Sequence, residues 1–464
     1  MIFKTVQLQT ICKSVLSGGT PKRTNSEFYN NGTIPWIKTK EVNNNRIYAA
    51  ENYISELGLK NSSAKVIPKN SVLIAMYGNG DTAGRVAINK IPVSTNQACC
   101  NLIIDDSKAD YRYVFYYLRT QYQRLVDLKN GGAQQNLNAK TIKEYPFPWA
   151  PLYFQHLVSD FLESLDEKIS LNQQINIILE KMAQTVFKSW FVDFDPVKAK
   201  IAVLEAGGSQ EEATLAAMAA ISGKDADSLA IFEREYPEKY AELRATAQLF
   251  PSAMQDIESV KIPESWNLAP LSSIASFASG KIDVSELTKD TYISTENMLV
   301  NKMGIECATS LPSASTTPSF NPGHILISNI RPYFKKIWFA RFSGGRSADV
   351  LAFEHKKHIT AEYLYNILYQ DSFFDFMMRT SKGVKMPRGD KKAIMEWSCI
   401  VPTVELVSIF SNKVKEFYSY IESHNKENTQ LSQLRDTVLP KLLSGEITLP
   451  DAEEIAKEAD YVQS

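Results

Sequence analysis

With 464 residues, 44% apolar and 22% charged side chains and a formal net charge of -1, the chain is too long for one compact core and has the balance of a globular protein of several domains. Residues 1–6 lack the apolar stretch of a signal peptide, the longest uncharged run (307–330) is broken by Pro312, Pro318 and Pro322, and the five cysteines form no CxxC pair. A membrane span and a disulfide framework are therefore not expected, and a reduced cytoplasmic home is.

The near-zero net charge hides a division. Residues 1–150 hold 19 Lys+Arg against 10 Asp+Glu, residues 193–260 hold 6 against 13, and residues 266–402 hold 16 against 12. Two basic segments thus flank an acidic one, which fits either two phosphate-facing modules or ordinary solvated surface charge.

In chain order, a first mixed module over 1–152 contains the strand-like run Ser71-Val72-Leu73-Ile74-Ala75 after a turn at Pro68, then a Tyr-rich helix near 110–125. A long central helix over 153–192 follows, with apolar residues at Val158, Phe161, Leu165, Ile175, Leu179, Met182, Val186 and Trp190. Residues 193–262 read as a structured linker: an Ala-rich helix near 210–222, then a charged helical pattern near 226–246 that Pro237 kinks or splits. A second module over 263–403 has its strand-like Ile325-Leu326-Ile327 after Pro322 and its own Tyr-rich helix near 360–379. A distal helix over 404–445 spaces Val407, Phe410, Val414, Phe417, Ile421, His424, Asn428, Leu431, Leu434, Val438 and Leu442 by three and four, and an acidic tail occupies 446–464.

The halves are related. Leu157-Val158-Ser159-Asp160-Phe161 recurs as Leu406-Val407-Ser408-Ile409-Phe410, Thr185-Val186-Phe187 as Thr437-Val438-Leu439, and Tyr113, Phe115 and Leu118 match Tyr363, Tyr365 and Leu368, always in the same order. A period of about 250 residues means duplicated modules rather than a stacked solenoid. Neither long helix can bury its stripe alone, so the two are expected to pair as a coiled coil, with Asn172 and His424 as polar seam residues that set register. The fold class expected is α+β: two mixed α/β modules in a pseudo-two-fold repeat, separated by two long antiparallel coiled-coil helices.

Several stretches carry a likeness to a known family: Ser17-Gly18-Gly19-Thr20-Pro21-Lys22, Ile34-Pro35-Trp36-Ile37-Lys38, Thr95-Asn96-Gln97, Gly132-Ala133-Gln134-Gln135-Asn136-Leu137, and the helix endings Trp190-Phe191-Val192-Asp193-Phe194-Asp195-Pro196 and Leu434-Arg435-Asp436-Thr437-Val438-Leu439-Pro440. Together they resemble the specificity subunit of type I restriction-modification systems over roughly residues 5–445. The resemblance implies two target-recognition domains that each read one part of a split double-stranded DNA target. It also implies docking of two methyltransferase subunits, adenine-N6 specific, and of restriction/translocase subunits. In the second module Gly383-Val384-Lys385-Met386-Pro387 stands where the first has its Gly-Ala-Gln-Gln, a departure expected where each domain reads its own sequence.

No motif supplies chemistry. Asn329-Ile330-Arg331-Pro332-Tyr333 has the wrong spacing for an adenine methyltransferase, Gly78-Asn79-Gly80-Asp81-Thr82-Ala83-Gly84 misses G-x-G-x-x-G, no P-loop exists, and His355 and His358 lack zinc-spaced partners. The chain is therefore expected to be non-catalytic, with no cofactor and no metal. The alternatives are a coiled-coil interaction protein that does not read DNA, or part of a fused restriction-methylation enzyme. Base readout calls for Arg or Lys toward guanine and Asn or Gln toward adenine, whereas phosphate contacts need only charge and backbone amides. The candidates in the first module are Lys22, Arg23, Lys38, Lys40, Tyr77, Asn79, Arg85, Gln134, Gln135 and Asn136, where two Gly-rich stretches let the backbone approach DNA. In the second they are Arg331, Tyr333, Lys335 and Lys336, then Arg346, Lys382, Lys385 and Arg388; the aromatics Tyr333, Phe334 and Trp338 also suit inward packing.

Overall fold

The computed structural model describes residues 3–78, 82–128 and 136–449. Contacts divide the chain into two units, one made of residues up to Asn172 together with those from Lys426 onward, the other of Gln173–Asn425. Both long helices, Leu152–Phe191 and Val404–Ser444, cross this division, so each unit owns half of each.

In the first unit the buried runs form a five-stranded sheet in the order Cys12–Ser17, Cys99–Ile104, Val72–Ala75, Val86–Asn89, Asn45–Ile47. Val72–Ala75 and Val86–Asn89 are buried at every position, as near-continuous apolar runs demand. A three-stranded sheet sets Ile34–Ile37 between Tyr53–Ile54 and, in parallel, Ser94–Thr95. Lys4–Gln7 pairs antiparallel with Pro146–Trp149 just before the long helix begins. The Tyr-rich helix Tyr111–Thr120 is capped by the Asp110 carboxylate, which accepts from the Arg112 amide, and packs its aromatic face on the sheet. Val158 and Leu162 of the first long helix share this core with Val438, Leu439 and Leu442 of the second.

Ions fasten the first unit's module to its helix pair. Asp166 lies between two guanidiniums, 2.9 Å from Arg46 Nη1 and 2.7 Å from Arg435 Nη1, and it also accepts from the Tyr116 hydroxyl at 2.8 Å. Burial alone would raise its pKa, but Arg46 and Arg435 overcome that and hold the carboxyl below the usual carboxylate range. Nearby, Arg112 spans Asp110, Asp160 and Glu163 at 2.7, 2.6 and 2.9 Å.

The second unit repeats the plan. A four-stranded sheet runs Ala275–Phe277, Val350–His355, Ile325–Ser328, Ile337–Phe339, and a second runs Lys281–Asp283, Thr316–Phe320, Gly344–Arg346, Tyr292–Ile293, with the last pair parallel as in the first unit. Asn267–Pro270 pairs with Ser398–Val401 before the second long helix, as Lys4–Gln7 does with its partner before the first. Phe187, Trp190 and Phe191 close on Phe410 with ring centroids 5.3–6.2 Å apart, and Phe187 and Phe191 also meet Tyr363 of the helix Ala361–Leu368. The first long helix therefore buries Ala183, Phe187, Trp190 and Phe191 here and leaves Met182 46% exposed, a stripe turned from the expected one. The expected a/d seam serves a single partner helix, whereas this half of the helix packs against a module helix as well. Between the modules' chain segments, Asp195–Glu205, Gln210–Ser222, Ala226–Glu235 and Pro237–Leu249 form four short helices, the last two split where Pro237 takes the first helical turn.

Within each unit the long helices pair antiparallel. In the first, Asn172 is fully buried and donates to Glu427 Oε2 at 2.7 Å and Asn428 Oδ1 at 3.0 Å; in the second, Asn176 bonds Asn425 and His424 at 3.0 and 2.8 Å. These side chains can satisfy one another in only one register.

Glu180 is the second unit's buried carboxyl on the first long helix. The residue as a whole is half-buried, but its carboxyl accepts from Gln184 and lies by Tyr365, Tyr418 and Arg341, and burial pushes its pKa from 4.5 up to about 7. A raised carboxyl pKa contributes stability that is fully present below the unfolded value and is lost as pH rises through the folded one. The thermal midpoint of the second unit is expected to fall as pH climbs from about 4.5 through about 7. Glu180→Gln should flatten that slope; an unchanged slope in the variant would remove Glu180 as its source.

Candidate nucleic-acid interface

In the first unit the candidates gather at loops on the strand ends. Lys22 and Arg23 are exposed on a turn held by Asn25 N–H to Lys22 O at 3.1 Å, behind Gly18 and Gly19. Those glycines serve packing: a Cβ on Gly18 would stand 2.1 Å from the Asn96 carbonyl oxygen, and one on Gly19 2.2 Å from the Ala64 nitrogen. Lys38 is half-buried, donates to Asn52 Oδ1 at 2.9 Å and lies 5.4 Å from the Trp36 ring centroid, and Lys40 is exposed and paired with Glu51.

Tyr77 is 38% exposed at the end of Val72–Ala75. Leu137 N–H donates to Met76 O at 3.1 Å, which brings half-buried Asn136 beside Tyr77. Arg85, also half-buried, follows the turn closed by Gly84 N–H to Ala75 O and bonds Asn43. Asn79, Gln134 and Gln135 lie outside the described residues.

Between the two groups the turn after Ser94–Thr95 presents exposed Gln97, whose backbone neighbour Ala98 accepts from Met76 N–H at 2.8 Å and whose side chain bonds Thr20. Gln97 was not among the sequence candidates, although the Thr95-Asn96-Gln97 motif holds it. A polar residue two steps past a strand end is the signal that would have found it.

In the second unit, Arg331 N–H donates to Pro387 O at 2.8 Å and Ile330 bridges Arg388, so the segments 330–336 and 382–388 stand side by side. Arg331 and Lys335 both adopt left-handed backbone, at φ 50°, and Tyr333 is 49% exposed between them. Lys335 pairs with Asp371 at 3.0 Å, in company with Lys302 at 2.7 Å. Lys336 is half-buried and donates to Thr295 O at 2.6 Å, and burial lowers its pKa. Lys382 and Arg388 are exposed and paired with Asp390 and Asp349 at 2.5 and 3.2 Å. Lys385 is exposed, with no ion pair among the described residues. Trp338 packs inward against Phe320 and Phe342, as expected of an aromatic on a strand.

Arg346 requires a correction. Expected to contact DNA, it is instead 8% exposed and gives its guanidinium hydrogens to the carbonyls of Val350, Ala278 and Ser319 at 2.6, 2.9 and 3.3 Å. The strand Gly344–Arg346 lies inside its sheet, so the side chain serves as an internal cross-link and is not available to a phosphate.

Among the described residues no group of three or more His, Cys, Asp or Glu is placed to hold a metal, and no helix is long and apolar enough to cross a membrane. The thiols are not activated: burial pushes Cys12, Cys100 and Cys399 up to about 12.

Duplicated modules with exposed cations and amides on strand-end loops, carried on paired helices, have the form of a sequence-reading DNA protein. Residues 3–181 match the family model described as the type I restriction modification DNA specificity domain. It is 28% identical over 452 residues to the type I restriction enzyme HindI specificity subunit of Haemophilus influenzae, covering 89% of this chain and 94% of that one. It is 25% identical to the MjaIX specificity subunit of Methanocaldococcus jannaschii, covering 94% and 92%. In fold it is similar to the crystal structure of a type I restriction-modification system S subunit from M. genitalium, with a TM-score of 0.50 at 16% identity over 95% of this chain and 96% of that one. The likeness read from the motifs thus extends over nearly the whole chain.

Proposed function

We propose that the chain is the non-catalytic, DNA-reading subunit of a cytoplasmic type I restriction-modification complex. Residues 1–152 and 263–403 act as its target-recognition domains, and each reads one part of a two-part target in double-stranded DNA. The helices over 153–192 and 404–445 hold the unread gap constant and offer docking for two adenine-N6 methyltransferase subunits, with restriction/translocase subunits joining the assembly. The observation that carries this reading is the recurrence in both units of one four-strand order and one parallel strand pair, each with cations and polar side chains at the loops, in a chain whose residues 3–181 match the specificity-domain model.

The test is reconstitution with the methyltransferase subunits of its own host, followed by mapping of N6-methyladenine. A two-part motif with a constant gap is expected from the assembly and no methyl transfer from the chain alone. Transfer by the partner-free chain, or a continuous motif, overturns the proposal. A finer prediction concerns Lys385, whose charge is free to meet a phosphate. In the assembled complex Lys385→Ala should reduce the slope of log K against log salt by about 0.9 and weaken all sequences alike. An unchanged slope assigns Lys385 no phosphate.

A further inference from the structure

The loop between Lys382 and Arg388 is closed by two backbone hydrogen bonds, Lys382 N–H to Arg388 O and the reverse, both 2.9 Å. Its base is tied down: Pro387 O accepts from Arg331 N–H, and Gly389 O accepts from Asn329 Nδ2 at 3.2 Å. On this anchored finger Val384 is wholly exposed at 101% and Met386 is 48% exposed, with Gly383 at φ 95° turning the chain between them and the closure. Two apolar side chains held in water on an otherwise cationic loop have no structural role in the unit. Leaving them uncovered forfeits the burial that apolar surface ordinarily gains.

The surroundings say what covers them. Lys382, Lys385 and Arg388 stand on the same finger and Arg331 at its base; Lys382 is itself exposed beside half-buried Asp390, and the exposed Arg388–Asp349 pair is of the kind that exchanges readily for phosphate. A loop two backbones wide fits the major groove, about 12 Å across, and there the one apolar feature a base pair offers is the thymine C5-methyl group. We propose that Val384 and Met386 read thymine methyl groups in the major groove of the half-target contacted by the second unit, while the cations of the same finger hold the flanking phosphates. This rests on the DNA-reading function above and adds the chemical group that is recognised.

The test uses the assembled methyltransferase complex and its mapped target. Duplexes carry deoxyuridine for thymidine, one position at a time, across the half-target assigned to the second unit. For the native chain, at least one substitution should weaken binding about fourfold, the loss expected for one buried methyl. For Val384→Ser and Met386→Gln combined, thymine and uracil should bind alike, with the thermal midpoint of the free chain unchanged because both side chains face solvent. Uracil tolerance by the native complex at every position overturns the proposal, as does a half-target without an A·T pair. So does a double variant that still prefers thymine. Uracil tolerance accompanied by bright 2-aminopurine fluorescence within the half-target would mean insertion between bases instead. Failure of the underlying DNA-reading function looks different: no methylated motif is found in the first place.

Discussion

Asp166→Ala is expected to destabilise the first unit by about 3–5 kcal/mol, the range for breaking a buried ion arrangement by removing one partner. The carboxylate serves two guanidiniums whose side chains are only 13% and 10% exposed. Without it Arg46 and Arg435 stand as like charges with no shared anion, and Tyr116 loses its acceptor. Glu163, 3.3 Å from Arg46 Nε, and Asp436, 2.8 Å from Arg435 Nε, offer each of the two partial relief. Asp166→Asn keeps the shape and one acceptor oxygen but not the charge, and should cost less than alanine. Replacing Arg435 by Met in the Asp166→Ala background should recover part of the loss, since one of the two like charges is then gone. Denaturant unfolding of the four proteins decides it, and a loss below 1 kcal/mol for Asp166→Ala would show the carboxylate to be dispensable. Because the carboxyl is held below its usual range, its contribution is present above the unfolded value of about 3.8 and disappears as pH falls through the folded one.

Arg346→Ala is expected to cost about 2–4 kcal/mol in the second unit, since charge-assisted hydrogen bonds contribute about 1.5–3 kcal/mol each and do not add fully. Three backbone carbonyls would be left facing a cavity. Arg346→Met fills the space but not the bonds and should fall between alanine and the native protein. In complexes assembled below the variant's melting range, the salt dependence of DNA binding should be that of the native chain. A stable Arg346→Ala protein whose salt slope drops by about 0.9 would return the residue to the DNA surface.

Arg346 and Lys385 illustrate what a sequence discloses. Both occur in Gly-flanked basic stretches and look alike in one dimension. Arg346 belongs to a short interior strand whose neighbours come from residues 278, 319 and 350, and Lys385 to a finger whose anchors come from 329 and 331. Such partners are set by tertiary approach and leave no local signature. The paired acids Glu51, Asp371, Asp349 and Asp390 were hidden for the same reason. By contrast, the two long antiparallel helices were legible from three-and-four spacing, and the buried strands Val72–Ala75 and Ile325–Ser328 from short apolar runs after prolines. The face that the first long helix turns inward near Phe187 was not, because periodicity cannot count how many neighbours a helix has.

The sharing of both long helices between the units has a consequence during synthesis. The first unit needs chain from Lys426 onward, whereas the second is one continuous stretch, Gln173–Asn425. At about 5–20 residues per second, the ribosome needs roughly 13–50 s to make that stretch. For that interval Val158 and Leu162 have emerged but Val438, Leu439 and Leu442, which complete their core, do not yet exist. The first unit's core can close only after that stretch is made, a non-local closure that carries the loop entropy of what lies between. Slow translation across the middle of the message prolongs that exposure, and the yield of soluble protein should be most sensitive to chaperone supply at that stage.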